Sequence, residues 1–269
     1  MRYYLADKPT DLTVIDWIAL KNPNFIKLSK KIKPKIKYPN YWFTDGLDFN
    51  PELMLSQIDA SFNKQDNRDT VFGVEYQRGL TINVNQDWLR LRNTVELSRK
   101  EDRRLYNDQF SYRTFNKLWE NTEIEKVMKQ FKRTPIRSFI SKIHANQIQP
   151  WYKTSIHKDR ILTCETRIVL NLNTHPEFEM QTLKYGFIPS GFKLDQFGKA
   201  YVFDSSKVHR AYFTEATNNV RTCVILGFSP WLDYNEEGKY WEHNEFYGEL
   251  HPFDIISEGH AFSKLIEAK

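Results

Sequence analysis

The sequence predicts a mainly β protein with flanking helices, its strands paired antiparallel in a sandwich or jelly roll, and three observations carry that expectation. From about residue 136 the runs IRSFISKIHA, RIVLNLN, KAYVFDSS and RTCVILGFSPW are short and rich in β-branched and aromatic residues, the composition that suits a pleated, half-buried surface. The stretches between them, including NTHPEFE and IPSGFKLDQFG, read as turns without a helix-length apolar period. They offer none of the crossover helices that a parallel sheet needs. Helical spacing occurs upstream instead, in PELMLSQIDASF (51–62) and NKLWENTEIEKVMKQF (116–131), where apolar residues recur about every three to four positions.

Taken in order, residues 21–41 alternate lysine with Phe, Leu, Ile and Tyr around prolines at 23, 34 and 39. Those prolines argue against a long helix, and the period-two pattern reads as an edge strand or extended arm with a solvated lysine face. Between the two helices, the charged stretch from Thr81 to Phe110 has no clear period. The expected division is a mixed helical and extended region at 1–135 that packs on the core, a β core at 136–232 and an extension at 233–269 rich in aromatics and acids. That extension reads as packing across the barrel or an oligomer contact.

Composition excludes several classes. A chain with 40% hydrophobic and 15% aromatic residues is no disordered segment. Its 39 basic and 34 acidic side chains are interleaved, so the small positive excess is no nucleic-acid footprint. Two cysteines, Cys164 and Cys223, are too few for a disulfide framework and read as small buried hydrophobes in a reducing compartment. Neither a signal-peptide pattern nor a run of about 18 apolar residues is present, so the expectation is a cytoplasmic protein without a membrane partner.

The candidate chemistry lies in His157-Lys158-Asp159 and in His209, which follows KAYVFDSS. Residues at i and i+2 of a strand share a face, so His157 and Asp159 can bind one ion, and a histidine from an adjacent strand supplies the third ligand. Two imidazoles and a carboxylate suit non-haem Fe(II) with open positions; they also suit zinc. Arg167 and Arg221 sit at the starts of apolar strands, where a guanidinium is costly unless it meets an anion, and two such forks suit a dicarboxylate. His144, His175, His243, His251 and His260 lack a carboxylate in matching strand context and are read as packing or surface residues. Asp204 and the serines after it are expected to bond turn backbone ahead of His209. Lys142, Trp151 and Ser155 flank the motif as possible lining residues.

In that order HKD, TRIVLNLN, KAYVFDSSKVH and VRTCVILGFSPW resemble the core of the aspartyl/asparaginyl β-hydroxylase family, bacterial free-proline hydroxylases included, over about residues 137–232. The resemblance implies a double-stranded β-helix (jelly roll, cupin-like) and an Fe(II)- and 2-oxoglutarate-dependent dioxygenase that hydroxylates an unactivated C–H bond of an amino acid, free or peptidyl. It implies His157, Asp159 and His209 as metal ligands and Arg221 and Arg167 as cosubstrate contacts. Some animal members have a histidine two residues after the first arginine, where this chain has Val169, and lack the aspartate that is present here as Asp159. The expected partners are therefore 2-oxoglutarate, dioxygen and an amino-acid or peptide substrate, with Arg137, Arg160 or Lys142 available for a substrate carboxylate. A non-catalytic jelly-roll module that holds a metal or organic acid is the alternative.

Overall fold

The computed structural model describes residues 1–64, 71–74, 77–94, 98–144, 156–173, 175–184, 188–215 and 217–262; Trp151 and Ser155 lie outside them. In chain order the elements are β1 (Arg2–Tyr4), α1 (Val14–Lys21), α2 (Pro23–Lys31), β2 (Tyr41–Thr44), α3 (Pro51–Lys64), β3 (Val71–Val74), β4 (Gln77–Thr81), β5 (Asn83–Val84), α4 (Gln86–Thr94), α5 (Arg99–Tyr106), β6 (Thr114–Phe115) and α6 (Glu123–Met128). They continue with β7 (Pro135–His144), β8 (Thr166–Asn171), β9 (Phe178–Lys184), β10 (Ile188–Lys193), β11 (Ala200–Phe203), β12 (His209–Phe213), β13 (Val220–Phe228), β14 (Leu232–Asn235), β15 (Tyr240–His243) and α7 (Pro252–Ser257).

A seven-stranded antiparallel sheet, in order β2-β11-β8-β13-β7-β4-β3, faces a three-stranded one, β10-β9-β12. From β8 onward the chain passes to the small sheet for β9 and β10, back for β11, across again for β12 and back for β13, which is the double-stranded β-helix of a jelly roll. Strand alternation gives the large sheet two buried faces. Ile140, Ile168, Leu170, Val202, Val224 and Leu226 point to the outer face and join residues of α1, α2 and α3 in one core. Ile143, Val169, Tyr201, Phe203 and Cys223 point inward and pack against Phe178, Met180, Phe192, Ala211 and Phe213 of the small sheet. The site lies in this inner layer.

Three local expectations are corrected. Residues 23–31 form α2, not an extended arm. Pro23 stands at the first helical turn, where its fixed φ and missing N–H cost nothing, and Pro34 lies past the end, so the prolines bracket the helix. Buried Phe25 anchors it, and Lys30 and Lys31 occupy its last turn, where the helix dipole favours cations. The 116–131 helix shrinks to a 3-10 turn, Lys117–Trp119, and the short α6. Tertiary bonds override the period there, because Asn116 Nδ2 and Trp119 Nε1 both donate to the Thr81 carbonyl, at 2.9 and 3.0 Å, and Asn121 turns left-handed at φ 60°. The turn-like stretches around 178 and 190 are the strands β9 and β10, paired from Ile188↔Lys184 to Lys193↔Glu179. Phe178, Met180 and Phe192 supply the apolar face that holds them. The charged stretch from Thr81 contributes α4 and α5, the latter opened by a Ser98–Glu101 capping box. Residues 231–262 join the main core through Trp231, Trp241, Phe253 and Ile255.

Candidate active site

His157 and His209 are mutual backbone partners: His157 N–H donates to the His209 carbonyl at 3.1 Å and His209 N–H to the His157 carbonyl at 2.8 Å. Two residues on, Asp159 N–H donates to the carbonyl of Ser205 at 2.9 Å. The segment before β8 thus runs antiparallel to the turn that leads into β12, and the i, i+2 rule places His157 and Asp159 on the side where His209 projects. The imidazole centroids are 4.4 Å apart. Ligand atoms of His157, Asp159 and His209 all lie within 4.8 Å of one another, the only such group among the described residues.

The surrounding bonds orient these side chains. His209 is 4% exposed, and its Nδ1 lies 2.9 Å from the Lys207 carbonyl. Because a carbonyl only accepts, Nδ1 carries the proton and Nε2 keeps its lone pair for a metal. Burial pushes the His209 pKa below its ordinary value, with Asp159 and the Lys207 carbonyl opposing and His157 and Arg167 adding to the lowering. The approach is set by the turn before it, where Ser206 N–H donates to Asp204 Oδ1 at 3.2 Å.

The two expected arginines reach the same cavity but in different states. It has a volume of about 110 Å³ and is lined by His157, Asp159, His209, both arginines and apolar residues that include Phe139, Val169, Met180 and Ile225. Arg221 is 3% exposed, and its Nε and Nη2 have no hydrogen-bond partner among the described residues. Its guanidinium lies 4.1 Å over the Phe178 ring. Burial pulls its pKa down, with Cys223 and Tyr201 opposing. Arg167 instead meets two protein carboxylates, Nη1 at 2.9 Å from Asp159 Oδ2 and Nε at 2.7 Å from Glu165 Oε1. The first contact is an ion pair by distance and is not aligned as a hydrogen bond. Glu165 is 1% exposed and was not among the expected site residues. Its signal is a carboxylate two positions before Arg167 at the entry to an apolar strand.

Of the other cations, Lys142 turns to the outer face and pairs with Asp59, in a different cavity, while Arg160 pairs with Asp16 of α1 at 3.0 Å. Arg137 shares the inner face of β7 with Phe139, its guanidinium 5.1 Å from that ring and 3.9 Å over Tyr106.

Two imidazoles, one carboxylate and a buried guanidinium with Nε and Nη2 unpaired among the described residues fit Fe(II) together with an anionic cosubstrate. A cavity of about 110 Å³ suits a small acid, since drug-sized ligands need roughly 300 Å³ or more.

No protein-family model matches the chain, and no curated protein matches it. Among solved structures the chain is similar to a 2OG-Fe(II) oxygenase family oxidoreductase from Burkholderia pseudomallei, with 15% identity over 65% of this chain and 77% of that one at a TM-score of 0.35. It is similar to HygX from Streptomyces hygroscopicus, solved with nickel and 2-oxoglutarate, with 8% identity over 70% and 82% at 0.39. It is also similar to the dioxygenase for auxin oxidation 1 from Arabidopsis thaliana in its 2-oxoglutarate complex, with 9% identity over 83% and 90% at 0.37.

Proposed function

We propose that this chain is an Fe(II)- and 2-oxoglutarate-dependent dioxygenase that hydroxylates an unactivated C–H bond of an amino acid, free or peptidyl. The observation that carries the proposal is the pairing, in one small cavity, of a His-Asp-His group with a buried guanidinium whose Nε and Nη2 have no hydrogen-bond partner among the described residues. His157, Asp159 and His209 would hold the metal and Arg221 the remote carboxylate of 2-oxoglutarate. When bound, iron and 2-oxoglutarate supply the oxidising chemistry, in which one oxygen atom of dioxygen converts 2-oxoglutarate to succinate and carbon dioxide and the other enters the substrate C–H bond.

The protein's share is binding, orientation and exclusion of water. The Lys207 carbonyl fixes the tautomer of His209. Phe139, Val169, Met180 and Ile225 keep the cavity apolar around its charged groups, which strengthens every electrostatic contact within it. His157 is the exposed member of the three, His209 the buried one. Of the three cations considered for a substrate carboxylate, Arg137 stands on the inner face beside Phe139, which supports it over Lys142 and Arg160.

The test is anaerobic loading with Fe(II) and 2-oxoglutarate, then oxygen exposure and measurement of succinate across a library of amino acids and peptides. A true substrate stimulates succinate formation and gains one oxygen atom by mass, and His209→Ala abolishes stoichiometric metal binding. Metal binding without stimulated turnover by any member would favour the non-catalytic module, and unchanged metal content in the His209 variant would sink the ligand assignment.

A further inference from the structure

We propose that Glu165 and Arg167 act together as positioning residues for Asp159, a buried carboxylate–guanidinium–carboxylate chain that orients the metal's anionic ligand from behind; this rests on the reading of His157, Asp159 and His209 as a metal centre. The chain is continuous, with Glu165 Oε1 at 2.7 Å from Arg167 Nε and Arg167 Nη1 at 2.9 Å from Asp159 Oδ2. It is also shielded: the side chains of Glu165, Arg167 and Asp159 are 1%, 12% and 8% exposed.

Stability alone gives no reason for such a chain. Buried ion pairs are commonly no better than apolar residues of the same shape, because desolvation offsets their attraction. What they do supply is a fixed arrangement, and one end of this one is a metal ligand. Charge fits as well. One guanidinium between two carboxylates leaves a single formal negative charge, which a divalent cation at His157 and His209 answers. Arg167 holds Asp159 by its Oδ2, at 2.9 Å, and Oδ1 would be the oxygen left for an ion.

The supports of the chain are rigid. Glu165 N–H donates to the Ile161 carbonyl at 3.1 Å, Thr166 Oγ1 donates to the Leu162 carbonyl at 2.8 Å, and Asp159 is pinned through its own N–H to Ser205. Arg167 stands opposite Gly227 in the β8–β13 register, so no side chain from that partner position competes for the space of its guanidinium. With Nε and Nη1 engaged by protein carboxylates, Arg167 serves the metal through Asp159, and the cosubstrate's remote carboxylate falls to Arg221.

The test titrates the full-length chain with Co(II) alone, following visible d–d absorption and calorimetric affinity, with thermal unfolding as a check on folding. Glu165→Gln and Arg167→Gln should each weaken Co(II) binding about 10- to 100-fold, the range for lost outer-shell partners, and shift the absorption bands. Because the two act as a unit, the double variant should be no weaker than the worse single one. Arg167→Lys, which keeps the charge without the fork, should recover part of the loss. If a single variant unfolds, the apolar pair Glu165→Leu with Arg167→Met replaces it, and should keep the fold yet still lose Co(II) affinity. Wild-type Co(II) affinity and spectrum in Glu165→Gln would overturn the proposal. So would an Arg167→Gln variant that binds Co(II) normally but 2-oxoglutarate weakly, since Arg167 would then hold the cosubstrate. Equal Co(II) binding by wild type and His209→Ala would remove the metal reading itself, an outcome separable from the other two.

Discussion

A guanidinium 3% exposed, with two nitrogens unbonded among the described residues, is the most informative side chain in the molecule, because burying charge without a partner is strongly unfavourable. Arg221→Lys keeps the charge and loses the fork, so 2-oxoglutarate affinity should fall by about one to two orders of magnitude, on the basis of roughly 1.5–3 kcal/mol for a hydrogen bond to a charged group. Calorimetric titration of the metal-loaded variant measures it, and an unchanged affinity would move the carboxylate elsewhere. The juxtaposition of His157 and Asp159 was legible because their i, i+2 spacing obeys the strand period whatever the surroundings. Glu165 was not. Its burial follows from the turn at 161–165, whose backbone bonds have no marker in the sequence, and a glutamate before a strand ordinarily faces water.

Elements differ in the same way. β7, β8, β11 and β13 were legible because both faces of the large sheet are buried, which writes near-continuous apolar runs. α5 carried a readable start signal in Ser98 and Glu101, masked by its charge. β9 and β10 were obscured because the small sheet has only one face on the interior, and Pro189 and Gly191 look like turn residues. Pairing across β7 and β13 is tight at Gly227, where an added Cβ would lie 2.6 Å from the Arg137 carbonyl oxygen and 3.2 Å from Ile136 Cγ1. The register also shifts between Ile225 and Gly227. Gly227→Ala should therefore destabilise by about 1–3 kcal/mol, the usual cost of overpacking. A calorimetric melting point lowered by several degrees would show it, and an unchanged one would mean that the strands separate without cost.

At the scale of the whole molecule, residues of α1, α2 and α3 and of the segment 231–262 pack in one core with the outer face of the large sheet, and β1 pairs with β15 to tie the chain's beginning to its later part. Tyr3 Oη lies 2.7 Å from His243 Nε2, and the His243 ring stacks on Tyr247 at 3.6 Å. Burial, helped by the terminal ammonium, lowers the His243 pKa from 6.5 to about 4. Between these values the unfolded chain takes a proton that the folded chain refuses, so the stability present above pH 6.5 is lost as pH falls towards 4. Partial exposure discounts the effect to on the order of 1–2 kcal/mol. Thermal melts from neutral to acid pH should slope less in His243→Gln than in wild type; parallel curves would assign the acid sensitivity to other groups. No helix among the described residues is long and apolar enough to cross a membrane. The reciprocal main-chain bonds between His157 and His209 have a consequence for what this scaffold can become. Peptide groups hold the two positions face to face whatever side chains they carry, so both imidazoles can be exchanged without dismantling their seat. Shape and chemistry are thus separately replaceable, and a descendant could carry another pair of side chains at these positions while inheriting the same architecture.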